Sequence, residues 1–436
     1  MRKNKKLEKL KKIILPAIVC TLLLNIVYEL YVKTILNIHH FSFDNMVYSE
    51  MLLNYTNGII KRGLVGEFVH FIKLTYNLKS SVEIINLIIF ITNSIILILL
   101  SYLFLKNRKL KLYIIYLIAP GSLFLIYTDE IHLYGRIDIF SYLFILIQFA
   151  FQISKSPVLS TLKFQIPFLS VSYFILPFVH EGFIFLYFPT SFLLFYLYNS
   201  EKKLKSIITP AILLISSYFL VIMITIFVKV NYDQLYSNLS FIDKSIICNN
   251  CQGQINSLDY GYYFAMKSNS IKQSLIEFIY QIANFNIWYW INIILVIYLY
   301  IYLTCEYLNL GVIRNSILSY FLLITLPVLL LCIIAIDYGR FFGIIVMNSF
   351  LFFLIPHEIL NKVEVKLRES DFLKPFNLPI INIKINNKLF LITLLLIIGL
   401  GTPVAYTTGA KSITYKNNFI LILKDYFIPK KYFTEN

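Results

Sequence analysis

The chain has 436 residues, 58% of them hydrophobic, 17% aromatic and only 14% charged, with a mean hydropathy of +0.73. A water-soluble domain of this length needs far more polar surface, and the alternating pattern of an outer-membrane barrel is missing. The net charge of +16 does not mark a nucleic-acid binder, because Lys and Arg gather in short loops between apolar runs, as the positive-inside rule requires.

These features predict an all-α, polytopic integral membrane protein with about eleven spans in a single transmembrane domain over residues 1–436. The chain opens with the basic stretch MRKNKKLEKLKK. The apolar run after it is too long for a signal peptide and no small-residue cleavage site follows. An uncleaved first span is expected at 13–32, with the N-terminus in the cytoplasm of a bacterial inner membrane. A first periplasmic loop with interfacial helices follows over 33–80, then a second span at 82–105. The basic KNRKLK at 106–111 marks the cytoplasm, and spans at 112–127 and 137–153 come next. The run 165–199 is too long for one helix and carries His180 and Glu181 at its middle, so it divides into two short spans meeting at the outer face. NSEKKLKS is then cytoplasmic, and a span at 207–230 leads into a large periplasmic loop over 231–275. Further spans are expected at 280–303, 315–336 and 341–358, then a basic cytoplasmic segment, NKVEVKLRESDFLKPF, and a last span at 388–405. NNFILILKDYF in the tail is too short to span and reads as interfacial.

Basic loops and lengths alone determine this topology, yet it places four other charge clusters on one face. The first periplasmic loop carries Asp44, Glu50, Lys61, Arg62 and Glu67. The second cluster, YTDEIHLYGRIDIF, holds Asp129, Glu130, His132, Arg136 and Asp138. FVHEGF supplies His180 and Glu181, and DYGRFFG supplies Asp337 and Arg340. Ionisable groups at membrane depth are costly and by default mark a functional site. A common polar cavity at the outer face is the expectation.

Other motifs point nowhere specific. His39, His40 and His70 share the first loop without completing a ligand set, so neither metal nor cofactor is expected. Walker A, Rossmann and nucleophile-elbow patterns are missing, which excludes ATP-driven transport. Cys20, Cys305 and Cys332 lie in apolar runs as small hydrophobes, and Cys248 and Cys251 form CNNC in a polar loop, as a local disulfide or two thiols. NYT at 54–56 and NLS at 238–240 match the glycosylation sequon, a pattern common by chance.

A cavity with acids, a His-Glu pair and several arginines suits a sugar carried on a lipid diphosphate. Lys61, Arg62, Arg136 and Arg340, with Asp129, Glu130, Asp138 and Asp337 beside them, form the expected substrate-binding set. Arginine holds phosphate oxygens through charge-assisted, often bidentate bonds. Glu181 or His180 would take the proton from an acceptor hydroxyl as it attacks the anomeric carbon. The diphosphate leaving group needs only positive side chains to stabilise it.

In architecture the chain resembles the GT-C superfamily of membrane glycosyltransferases, with a first span, a long outer loop bearing an acid, and many spans with short loops. Asp44 stands where that first-loop acid is expected, which makes it a rival catalytic base. It is followed by Asn45 rather than a second acid, so the resemblance implies a metal-independent enzyme. NGIIKRGLVGEF, GRIDIF, HEGFIF and DYGRFF are also similar to membrane proteins of bacterial surface-polysaccharide clusters, many called O-antigen or capsule polymerases of the Wzy type. That resemblance implies a polymerase joining polyprenyl-diphosphate-linked repeat units at the periplasmic face. Its partners would be the lipid-linked glycan, membrane lipid, a chain-length regulator and a flippase, with no nucleic acid. Two other readings stand beside it: a GT-C enzyme adding one sugar from a polyprenyl-phosphate donor, and a lipid-linked oligosaccharide flippase or transporter.

Overall fold

The computed structural model describes residues 2–38, 45–56, 63–107, 109–120, 137–154, 161–180, 182–199, 205–227, 232–240, 242–243, 279, 286–311, 313–334, 338–360 and 387–401. Among them every regular element is a helix. In chain order these are α1 (Arg2–Tyr31, continued by a π-helical turn, Val32–Leu36), α2 (Asn45–Leu52), α3 (Gly63–Thr75), α4 (Val82–Lys106), α5 (Leu110–Leu117), α6 (Asp138–Gln152), α7 (Leu162–Val179) and α8 (Phe183–Leu186). They are followed by α9 (Phe188–Asn199), α10 (Lys205–Phe227), α11 (Tyr232–Ser237), α12 (Asn286–Tyr307), α13 (Ile313–Ile334), α14 (Tyr338–Phe352) and α15 (Lys388–Gly401). Four segments are long and apolar enough to cross a membrane: Pro16–Leu36, Val82–Lys106, Leu162–Val179 and Ile313–Leu331. Shorter apolar helices occupy Asp138–Gln152, Pro210–Met223, Ile291–Tyr307, Phe341–Phe352 and Lys388–Ile398.

The expected span at 112–127 is helical only to Leu117. Ile118 leaves helical geometry, and Ala119-Pro120 follows. Proline disfavours helix at the residue before it and removes a donor. The rest of that span lies outside the described residues.

The helices are apolar on both sides, which is the signature of packing in lipid. Along α4, Ile85, Ile89, Ile96 and Leu100 are buried, while Leu87, Ile91, Ile98, Tyr102 and Leu105 form an exposed stripe at helical spacing. On α10, Ile208, Ile212, Ile215, Phe219 and Ile222 repeat the pattern. In lipid an apolar face gains little from burial against another helix, so close packing and polar contacts must hold the bundle.

The chain divides into two compact units. The second comprises residues 27–106 and 131–273. Here α4 and α6 run the same way, since Lys106 Nζ at the end of one donates to Ile153 O at the end of the other, 3.4 Å. Phe151 meets Phe164, while Phe144 meets Tyr173, so α7 runs back against α6. α9 reverses again: Tyr173 packs on Phe188, and Asn199 Nδ2 donates to Gln165 Oε1, 3.3 Å. The starts of α4 and α6 and the end of α7 therefore share one end of this unit. Where 165–199 was expected to divide into two short spans, the structure has α7 and α9 antiparallel, joined through the short α8. A buried polar knot ties α6, α7 and α9: Gln148 Nε2 donates to Ser191 O at 2.8 Å, and Ser191 Oγ donates back to Gln148 Oε1 at 2.5 Å. With the Ser191 proton so used, Tyr173 OH donates to Ser191 Oγ, 2.6 Å. Such contacts contribute about 0.6 kcal/mol each, up to ~2.

The first unit comprises residues 1–26, 107–130 and 274–436. Tyr300 OH donates to Ile115 O at 2.8 Å, and Tyr116 and Tyr300 both pack on Phe350. Asn309 and Gly311, both at positive φ, turn the chain from α12 into α13, and Arg314 pairs with Glu306 across that turn. Lys109 donates to Phe353 O at the same end.

Burial holds the Lys109 amine down to about 8, against an ordinary 10.5. Between pH 8 and about 10.5 the unfolded chain binds a proton at this lysine that the folded chain has lost, so stability rises with pH through that window. Melting temperature in detergent micelles should climb from pH 8 to 10 in the wild type more than in Lys109→Met. Equal slopes would show that this amine is not the source.

Candidate functional site

Two of the sequence-selected residues meet. His180 Nδ1 lies 3.3 Å from Asp138 Oδ1, and the residues are only 2% and 6% exposed. They come from separate clusters, GRIDIF and HEGFIF, and the local sequence accounts for both positions. Asp138 is the first residue of α6, where the positive end of the helix dipole favours a carboxylate. His180 ends α7 in an extended conformation, φ −152° and ψ 117°, while its N–H still bonds Leu176 O at 2.8 Å. That break swings the imidazole off the helix axis toward Asp138. Gly182 makes room for it: a Cβ there would lie 2.5 Å from His180 Cε1 and 2.8 Å from Nδ1. Phe183, stacked on Tyr187 and edge-on to Phe144, closes the apolar side.

Several other expected site residues, Asp44, Lys61, Arg62, Asp129, Glu130, Arg136, Glu181 and Asp337, lie outside the described residues. Arg340 falls in the first turn of α14. Of the further first-loop acids, Glu50 on α2 is fully buried, at 0% exposure. Glu67 accepts from Tyr55 N–H at 2.8 Å, and burial together with Glu67 pushes the Tyr55 phenol up to about 12.

A second polar site was not singled out from sequence. Asp243, 0% exposed, accepts from Lys73 Nζ, from Ser240 Oγ at 2.8 Å and from Ser81 N at 3.2 Å. Ser81 immediately precedes α4, so this carboxylate satisfies a free N–H of the helix start from outside the helix. A cleft of about 320 Å³ opens beside the cluster, with α3 and the 235–243 segment on its walls. Asn54 lines it, 3% exposed, and accepts from Thr56 N at 3.1 Å and Thr56 Oγ at 2.6 Å. The NYT match is thus a local turn, with its amide inside the fold. The CNNC motif lies outside the described residues; Cys305 is buried, whereas Cys20 is exposed.

Among the described residues no three His, Cys, Asp or Glu side chains gather as metal ligands. Comparison with family models, curated proteins and solved structures gives no match.

Proposed function

We propose that this chain is a membrane glycosyltransferase that joins polyprenyl-diphosphate-linked repeat units at the periplasmic face, as O-antigen and capsule polymerases do. The observation that carries the reading is the buried Asp138–His180 pair, assembled from two charge clusters at one end of a helical unit. A carboxylate behind an imidazole fixes its orientation and stabilises the imidazolium that forms when the other nitrogen takes a proton. His180 is then the base that deprotonates the acceptor sugar hydroxyl, through Nε2, and Asp138 is its positioning partner. Substrate must open the wall over the ring to reach it. Glu181 and Arg136, next to this pair in sequence, stay in the proposal as groups that share the proton or hold the diphosphate, and Lys61, Arg62 and Arg340 stay in it as phosphate-binding candidates.

The flippase reading fits less well. A transporter is expected to carry its ion and substrate groups near the bilayer midplane. Gln148, Gln165, Tyr173, Ser191 and Asn199, buried along α6, α7 and α9, are neutral groups in hydrogen bonds between these helices, while Asp138 and His180 sit at helix ends.

Asp138→Asn keeps the shape and removes the charge behind the imidazole. In a deletion strain complemented with this variant, chain extension should fall by about 10²-fold or more at normal protein level. His180→Gln should behave alike. A full polymer ladder from either variant sinks the assignment, and a single added sugar in the wild type would favour the one-sugar transferase.

A further inference from the structure

The cleft beside Asp243 holds more positive charge than its own acid uses. Asp243 is fully engaged by Lys73, Ser81 and Ser240. On the wall stand the Lys79 amine and the His70 imidazole, with no hydrogen-bond or ion-pair partner among the described residues. Around them stand groups that bond neutral hydroxyls: the Asn238 amide and the Thr56 hydroxyl. At about 320 Å³ the space is at the small end of ligand pockets, which run from roughly 300 to 1,000 Å³.

The position of α3 adds a second constraint. Gly66 and Val69 face inward, whereas Phe68, Phe71 and Leu74 are exposed on the opposite side, with Phe71 at 63%. An exposed apolar stripe of this kind lies in the membrane interface. Leu74 belongs both to that stripe and to the cleft wall, so a membrane surface met by the stripe would also border the cleft. A ligand that combines hydroxyls with a negative group, and that arrives attached to lipid, meets all of these features at once.

We propose that this cleft binds a sugar bearing an oxyanion, a carboxylate or a phosphate, with His70 and Lys79 on the oxyanion and Asn238 and Thr56 on the hydroxyls. The idea rests on the glycan-handling reading above and names a substrate class for it. The same chemistry could come from a phospholipid headgroup with free hydroxyls, and the test separates the two sources.

Full-length protein in a sugar-free detergent would be titrated with glucuronate, glucose 6-phosphate and glucose, with binding read by saturation-transfer NMR. At least one of the anionic sugars should bind at least tenfold more tightly than glucose. The double variant His70→Ala/Lys79→Ala should lose at least tenfold of that preference, and Lys79→Gln alone should lose part of it if the double variant fails to fold. Equal binding of all three sugars, no binding, or full retention in the folded variants overturns the proposal. Repeating the titration in nanodiscs of phosphatidylglycerol and of phosphatidylcholine identifies the source. Competition by phosphatidylglycerol assigns the site to a lipid headgroup, which overturns the glycan assignment; its absence supports a glycan. Polymer synthesis is not needed for the readout. Intact anionic-sugar binding with a full ladder from Asp138→Asn would therefore sink the catalytic reading alone, and the reverse pair of results would sink the cleft alone.

Discussion

Alanine at Gly66 should leave little folded protein. A Cβ there would lie 1.8 Å from the Leu53 carbonyl oxygen, 2.4 Å from its carbon and 2.8 Å from the Leu52 carbonyl carbon. No real side-chain atom sits so close, and the obstacle is backbone, which cannot rotate aside. Overpacking ordinarily costs about 1–3 kcal/mol, and this contact belongs at or beyond the upper limit. The helix-propensity gain of Gly→Ala, roughly 1 kcal/mol, is too small to offset it. Gly311→Ala is the comparison. Nothing lies within 4 Å of a Cβ there, and only its φ of +37° resists, at about 1–2 kcal/mol. Fluorescence-detected size exclusion after heating should rank wild type above Gly311→Ala and Gly311→Ala above Gly66→Ala. A Gly66→Ala protein as stable as wild type would mean that α3 does not pack on the 52–53 backbone.

Alanine at Gly182 should spare the fold and remove the proposed chain-extension activity. The added methyl would meet the His180 ring at 2.5 and 2.8 Å, and a ring can swing where a carbonyl cannot. The swing is paid in geometry, because Nδ1 leaves the 3.3 Å pairing with Asp138. A misplacement of about 1 Å at a reacting group costs on the order of 10²-fold. Chain extension by Gly182→Ala should drop that far, with membrane levels of the protein unchanged and a melting temperature within a few degrees of wild type. Normal extension would show that the imidazole does not act from its position beside Asp138.

Much of the fold was readable because two independent signals agree along this chain. Apolar runs gave the helices and lysine-rich loops gave their ends, so Val82–Lys106, Asp138–Gln152 and the α7–α9 hairpin fall close to where they were expected. His180 was readable because nothing but function or a turn explains a His-Glu pair inside thirty-five apolar residues, and it turns out to serve the turn as well. Its partner was less so: Asp138 was one of five ionisable residues in a short stretch, and only its place at the first turn of α6 selects it. The Asp243 cluster was not readable. Lys73 and Asp243 are 170 residues apart, one in the last turn of α3 and the other in a polar stretch where a charge is unremarked, and spacing along the chain says nothing of their meeting. His70 was weighed only as a metal ligand, whereas it lines the cleft. Gly66 gave no signal, since its close approach depends on a neighbour thirteen residues earlier in a non-helical segment.

The Asp243 cluster also dictates an order of assembly. Ser81 and Lys73 are made long before the carboxylate they need, and 162 residues separate Ser81 from Asp243. At a synthesis rate of about 5–20 residues per second, roughly 8–30 s pass on the ribosome between them. Throughout that interval α4 is already available for insertion, while its first N–H has not yet met the carboxylate and the Lys73 ammonium still faces solvent or lipid headgroups. The cleft is consequently finished only after α10 has been made, and a nascent chain halted before that point would carry α4, α6 and α7 without the carboxylate that completes the Asp243 cluster.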